Sequence, residues 1–134
     1  MTWEELAKLY ISKAIPKDTH TVDGRTTAYK IEFHVQDHPY YGQYVSRYTV
    51  SMGIYLYSLN GISKFKEFKA FGKQIDDAYG LVLTEFIKHI LTLRKWIASN
   101  DPIPYDEAIL FRIFDWPKID FSSKEELELK LNVL

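Results

Sequence analysis

The sequence predicts an α+β fold: an antiparallel meander of three or four strands packed on one long helix, with an N-terminal helix beside it. Three observations carry that prediction. Lys73 to Asn100 repeats apolar residues at spacings of three and four. Three segments between Thr27 and Phe71 have the alternation or turn boundaries of strands. The chain opens on Thr2-Trp3-Glu4-Glu5, which has the form of a helix-starting capping box. At 134 residues the chain fits one hydrophobic core, and residues 1–134 read as a single domain.

In the first element, Thr2 is placed to accept from the Glu5 amide while Glu5 reaches back. Trp3, Leu6, Tyr10 and Ala14 follow at helical spacing, and Pro16 ends the helix at about Ala14. Lys17 to Arg25 is polar, contains Asp23-Gly24, and reads as a loop or tight turn. Thr27 to Val35 then alternates, with Tyr29, Ile31, Phe33 and Val35 on one side and Lys30, Glu32 and His34 on the other.

Asp37 to Gly42 is turn chemistry, punctuated by Pro39 and Gly42. The second strand spans about Tyr44 to Leu59. Tyr48, Val50, Met52, Ile54 and Leu56 share one face, and Arg47, Thr49, Ser51, Tyr55 and Tyr57 the other. Gly53 inside it marks a candidate bulge. Its short connection to the first strand requires an antiparallel hairpin. Asn60-Gly61 turns the chain into a third strand, about Lys64 to Phe71, and Gly72 leads on to the long helix.

Ile75, Tyr79, Val82, Phe86, Ile90, Leu93 and Ile97 fall on one face of that helix; Asp77, Thr84, Lys88, Lys95 and Ser99 fall opposite. Leu81, Leu83, Ile87, Leu91 and Trp96 widen the stripe. Asp76 and Asp77 suit the positive end of the helix dipole, and Arg94 and Lys95 its negative end. Asn100 can adopt the left-handed conformation that closes a helix, and Pro102 stops its continuation. The apolar run Ala108 to Trp116 reads as a fourth strand or a buried extended segment; Ser122 to Glu126 has the form of a helix start, whereas Leu127, Leu129, Leu131 and Val133 alternate as a strand would, and of the two a short helix is favoured.

The composition excludes some functions. A net charge of −1 argues against a dedicated duplex-DNA binder. The absence of cysteine removes disulfides, thiolate metal sites and thiol nucleophiles. The first residues carry acids and no signal-peptide apolar core, and no apolar run approaches the ~18 residues of a membrane span. A cytoplasmic location is the expectation. The charge is unevenly placed: residues 101–134 hold eight acids against four bases, a balance of −4, and residues 60–100 hold seven bases against four acids, a balance of +3.

No Gly-x-Ser-x-Gly, Walker or dinucleotide-binding pattern occurs, so no catalytic residue is assigned. Asp76 and Asp77 have the chemistry of paired carboxylates but sit where a helix start uses acids for its dipole. His20, His34 and His38, with Asp18, Asp23 and Asp37 nearby, suggest a metal site and with it a small metal-dependent hydrolase. A spacing of four on an extended strand leaves side chains roughly 13 Å apart, too far to share an ion. Neither a metal nor another cofactor is expected.

Two surfaces remain. Lys64, Lys66, Lys69 and Lys73 interleave with phenylalanines, a pattern that single-strand nucleic-acid binders use. Tyr40, Tyr41 and Tyr44 gather at a turn, and Tyr55 and Tyr57 lie on the polar face of the second strand. Tyrosine suits protein interfaces because it offers large area at low entropy cost. Asp106, Glu107 and Asp115, within the acidic C-terminal third, suit a basic partner.

The order helix, three strands, helix over residues 2–98 resembles a double-stranded-RNA-binding domain. That family grips phosphate with a lysine cluster at the start of its last helix. Lys73-Gln74-Ile75-Asp76-Asp77-Ala78 stands there in this chain, with acids in the place of lysines. Over residues 68–91, Phe71-Gly72, Asp77-Ala78, Leu81, Leu83, Phe86-Ile87 and Leu91 resemble the strand–Gly–helix unit of small uncharacterised bacterial proteins, some of them immunity proteins paired with toxins. That resemblance implies a cytosolic inhibitor that binds a toxin and catalyses nothing. The expectation is therefore a protein-binding, non-enzymatic module with a protein partner such as a basic toxin, and RNA or single-stranded nucleic acid as the alternative.

Overall fold

The computed structural model describes residues 1–16, 20–22, 25–38, 47–58 and 60–134. The elements run α1 (Trp3–Ser12), β1 (Ile15–Pro16), β2 (His20–Val22), β3 (Arg25–Asp37), β4 (Tyr48–Ser58), β5 (Gly61–Gly72), α2 (Ile75–Ala98), α3 (Tyr105–Ile113), β6 (Phe114–Asp115) and α4 (Lys124–Asn132). The chain divides into two compact units, Thr19–Leu83 and Met1–Asp18 with Thr84–Leu134, and the boundary falls within α2.

The Thr19–Leu83 unit holds the meander, a four-stranded antiparallel sheet in the order β2-β3-β4-β5. β2 lies in the stretch read from sequence as a loop: His20 to Val22 folds back on Arg25 to Thr27 as a hairpin. Isolated three-residue strands carry too little pattern to be read locally. One face of the sheet meets the first turns of α2. Val50, Met52 and Ile54 are fully buried there, as are Ala78 and Val82 of the helix. The Phe33 ring lies 5.5 Å from that of Tyr79.

Gly53 pairs regularly with Glu32 and with Glu67, so it is not itself a bulge. The register instead shifts between Ile54 and Tyr55, whose partners are Lys66 and Lys64, and Phe65 is the extra residue on β5. Its ring meets Tyr29 edge-on at 5.9 Å. Gly61, opposite Ser58, has φ of 127°, which glycine adopts without strain. At Gly72 a Cβ would come within 2.9 Å of the Ala78 amide nitrogen, so glycine lets the first turn of α2 close against the strand end.

In the other unit, α1 begins with the complete capping box between Thr2 and Glu5. Leu6, Ala7 and Tyr10 are buried, and Tyr10 packs edge-on against Phe86 of α2 at 6.1 Å. Trp116 completes the cluster, parallel to Tyr10 at 6.5 Å and edge-on to Phe86 at 4.9 Å. Its indole nitrogen donates to the Leu110 carbonyl at 2.9 Å, and Arg94 Nη2 donates to the Trp116 carbonyl at 2.7 Å. The buried stripe of α2 includes Tyr79, Val82, Phe86, Ile90 and Leu93 as the periodicity predicts, whereas Ile75 and Ile97 at its ends are exposed. Asn100 has φ of 58° and ends the helix as expected.

The expected fourth strand at Ala108 to Trp116 is mostly helix. α3 covers Tyr105 to Ile113, with Asp106 and Glu107 in its first turn and Arg112 in its last, and buries Leu110 and Ile113 at a spacing of three. Only Phe114 and Asp115 are extended, and they pair with Pro16 and Ile15. A short run this rich in apolar residues suits a buried helix or a buried strand, and packing decided between them. Of the two readings open for the C-terminal segment, the helix forms: Ser123 accepts from the Glu126 amide, and Leu127 and Leu131 are buried at helical spacing.

Candidate functional site

The sheet has a second face, turned away from Met52. Cross-strand pairing sets its rows: Lys30, Tyr55 and Lys64; Glu32, Gly53 and Glu67; His34, Ser51 and Lys69. Alternation along β4 brings Tyr55 and Tyr57 to this face, as the sequence predicts.

The two tyrosines are held by neighbours. A Cβ at Gly53 would lie 2.5 Å from Tyr55 Cε2, so the Tyr55 ring lies over the glycine. The ring also meets that of His34, edge-on at 5.9 Å. Tyr57 donates its hydroxyl proton to Glu32 Oε1 at 2.7 Å, and Lys30 Nζ stands 5.5 Å from its ring centre. The hydrogen bond to Glu32 holds the Tyr57 phenol above its ordinary range, because the carboxylate favours the protonated form. Glu32 Oε2 is 3.4 Å from His34 Nε2. Both tyrosines are half-buried.

The lysines of β5 do not form one row. Lys64 and Lys69 lie on this face, and both reach Glu67, Lys69 at 3.1 Å. Glu67 is held below the usual carboxylate range, first by its hydrogen bond to Lys64. The extra residue at Phe65 puts Lys66 on the opposite face, where its Nζ stands 5.8 Å from the Phe68 ring centre. Lys73 is exposed in the turn before α2. An open groove of about 410 Å³ runs between the strands, lined by His34, Ser51, Tyr55, Lys64, Glu67 and Lys69. Its chemistry is mixed charge around an aromatic floor.

Tyr40, Tyr41 and Tyr44 lie outside the described residues. Asp106, Glu107 and Asp115 belong to the other unit. Asp106 and Asp115 are exposed, but Glu107 is half-buried and lies 2.6 Å from His89 Nε2 of α2, so it is used inside the unit. Asp115 and Lys118 flank a second groove of about 480 Å³ whose apolar walls include Ile15, Trp116 and Leu134.

Among the described residues, no group of three histidine, aspartate or glutamate side chains is placed to hold a metal ion. His34 faces Glu32, and His38 Nε2 is 3.1 Å from Thr49 Oγ1. Among the same residues no helix is long and apolar enough to cross a membrane. Sequence reasoning read Glu32 as one residue of a polar strand face and Gly53 as a candidate bulge, and assigned no role to Glu67. Alternation places Glu32 outward, but only the register brings these three positions into one row. Comparison with protein-family models, with curated proteins and with solved structures finds no match.

Proposed function

We propose that the chain is a non-enzymatic protein-binding module that docks through the outward face of its sheet, with an immunity-type inhibitor of a toxin as the specific form. The observation that carries this reading is the placement of Tyr55. A half-buried aromatic on a central strand, seated over Gly53 and braced by His34, is preorganised and loses little entropy on binding. Tyr57, fixed by Glu32, extends the aromatic surface. Glu32 and Glu67 on the same face repel a phosphate backbone, which favours protein over nucleic acid. Exposed Asp106 and Asp115 support a basic partner by speeding association.

The test is co-expression with the product of a neighbouring toxin gene. Cells survive with the intact chain. Tyr55→Ala/Tyr57→Ala weakens the purified complex by about 2 kcal/mol or more if these rings are anchors. Asp106→Asn/Asp115→Asn slows association and flattens its salt dependence. Normal binding by both variants, with fold retained by circular dichroism, would overturn the reading.

A further inference from the structure

The outward face of the sheet carries a hollow, and the register explains it. On β4 two small residues, Gly53 and Ser51, stand in successive rows between longer side chains, Glu32 and His34 on β3 and Glu67 and Lys69 on β5. The Tyr55 ring fills the space over Gly53. The space beside Ser51 stays open as the groove of about 410 Å³.

The lining of this groove has a surplus of one charge. Counting His34 as neutral, Lys64 and Lys69 stand against Glu67, two minus one, or +1. Both lysines reach Glu67, whose side chain is 19% exposed, while their own are 48% and 52% exposed. An ammonium carries three donors, and Glu67 needs only one from each lysine. Donors therefore remain on the open side, joined by the hydroxyls of Ser51 and Tyr55. Donors with surplus positive charge suit an anion and disfavour a cation. The size of the surplus selects among anions. A carboxylate brings the groove to neutrality, whereas a phosphate monoester, at about −2, would leave about −1 beside Glu67.

We propose that this groove receives the carboxylate of a glutamate or aspartate side chain of the protein partner. Lys64 and Lys69 supply charge-assisted hydrogen bonds, Ser51 a neutral one, and the Tyr55 ring an aromatic wall. The inference rests on the protein-binding reading and names the side chain that the face selects. A basic partner needs only one such acid to use it.

The test uses the full chain and a capped peptide, Leu-Phe-Glu-Phe-Leu, with its glutamine, lysine and phosphoserine forms at the central position. The apolar flanks suit Tyr55 and Tyr57, and only the centre varies. The glutamate form is expected to bind about tenfold more tightly than each of the others, since hydrogen bonds to a charged group are the strong ones. That preference should shrink as salt rises. Amide shifts on titration should centre on His34, Ser51 and Lys69. Lys69→Gln should bring the glutamate and glutamine forms within about threefold of each other. Glu67→Gln raises the balance from +1 to +2 and should make the phosphoserine form the tightest.

Equal binding of the glutamate and glutamine forms, tighter binding of the lysine form, preference of the parent for phosphoserine, or shifts confined to other residues would each overturn the proposal. So would failure of all four peptides to bind. A toxin partner lost on Tyr55→Ala/Tyr57→Ala but held at full affinity by Ser51→Ala/Lys69→Gln would overturn the groove while the protein-binding reading stands.

Discussion

The ring of Tyr55 occupies the space that a side chain at Gly53 would fill. A Cβ there would meet three atoms of the ring, at 2.5 to 2.9 Å. Gly53 is therefore the seat of an aromatic ring, and its neighbour two residues on depends on it. In Gly53→Ala the obstructing atoms belong to the far end of a side chain, so the ring swings aside while the backbone stays. Steric strain and the reduced entropy of the unfolded chain oppose each other, and stability should stay within about 1 kcal/mol of the parent. The Tyr55–His34 contact should disappear, read as loss of the cross-peaks between the two rings. A variant that keeps those cross-peaks would show that Gly53 does not seat the ring.

Phe86 is fully buried between Tyr10 and Trp116, whereas Lys88, two residues on, is exposed. Phe86→Ala should cost about 3–5 kcal/mol, as for other buried aromatics. Lys88→Ala should cost under about 0.5 kcal/mol. Chemical denaturation measures both. Equal losses would contradict the phase of α2.

Glu126 gives α4 a dependence on acid. It accepts from Lys130 Nζ, from the Ser122 amide and from the Ser122 hydroxyl, and these bonds, Lys130 first, pull its carboxyl down to about 2 from 4.5. The unfolded chain takes up this proton first as pH falls. The contribution of Glu126 is complete above about pH 4.5 and is lost as pH falls through about 2. The stability difference between the parent and Glu126→Gln should be level at neutral pH and shrink across that window. A difference that stays constant down to pH 2 would mean the carboxylate has no net role in the fold.

Local chemistry was enough for the frame. Thr2 and Glu5 form their capping box from neighbouring residues alone, and Asn100 closes α2 by its own backbone conformation. Alternation from Tyr29 to Phe33 and from Tyr48 to Leu56 assigns faces because successive strand residues point opposite ways. The buried stripe from Tyr79 to Leu93 follows from helical period in the same manner.

Tertiary packing decided the rest. Ala108 to Ile113 is apolar enough for helix or strand, and burial of Leu110 and Ile113 at helical spacing selected the helix. The extra residue at Phe65 is a property of how β5 pairs with β4; it sends Lys66 to the opposite face from Lys64 and Lys69, separating lysines that the sequence presents as one series. Tyr57 with Glu32, and Glu67 facing Gly53 across strands, are likewise products of register. A residue's own period tells which way it points. Which groups it meets there depends on a partner strand distant in sequence, and no local pattern encodes that pairing.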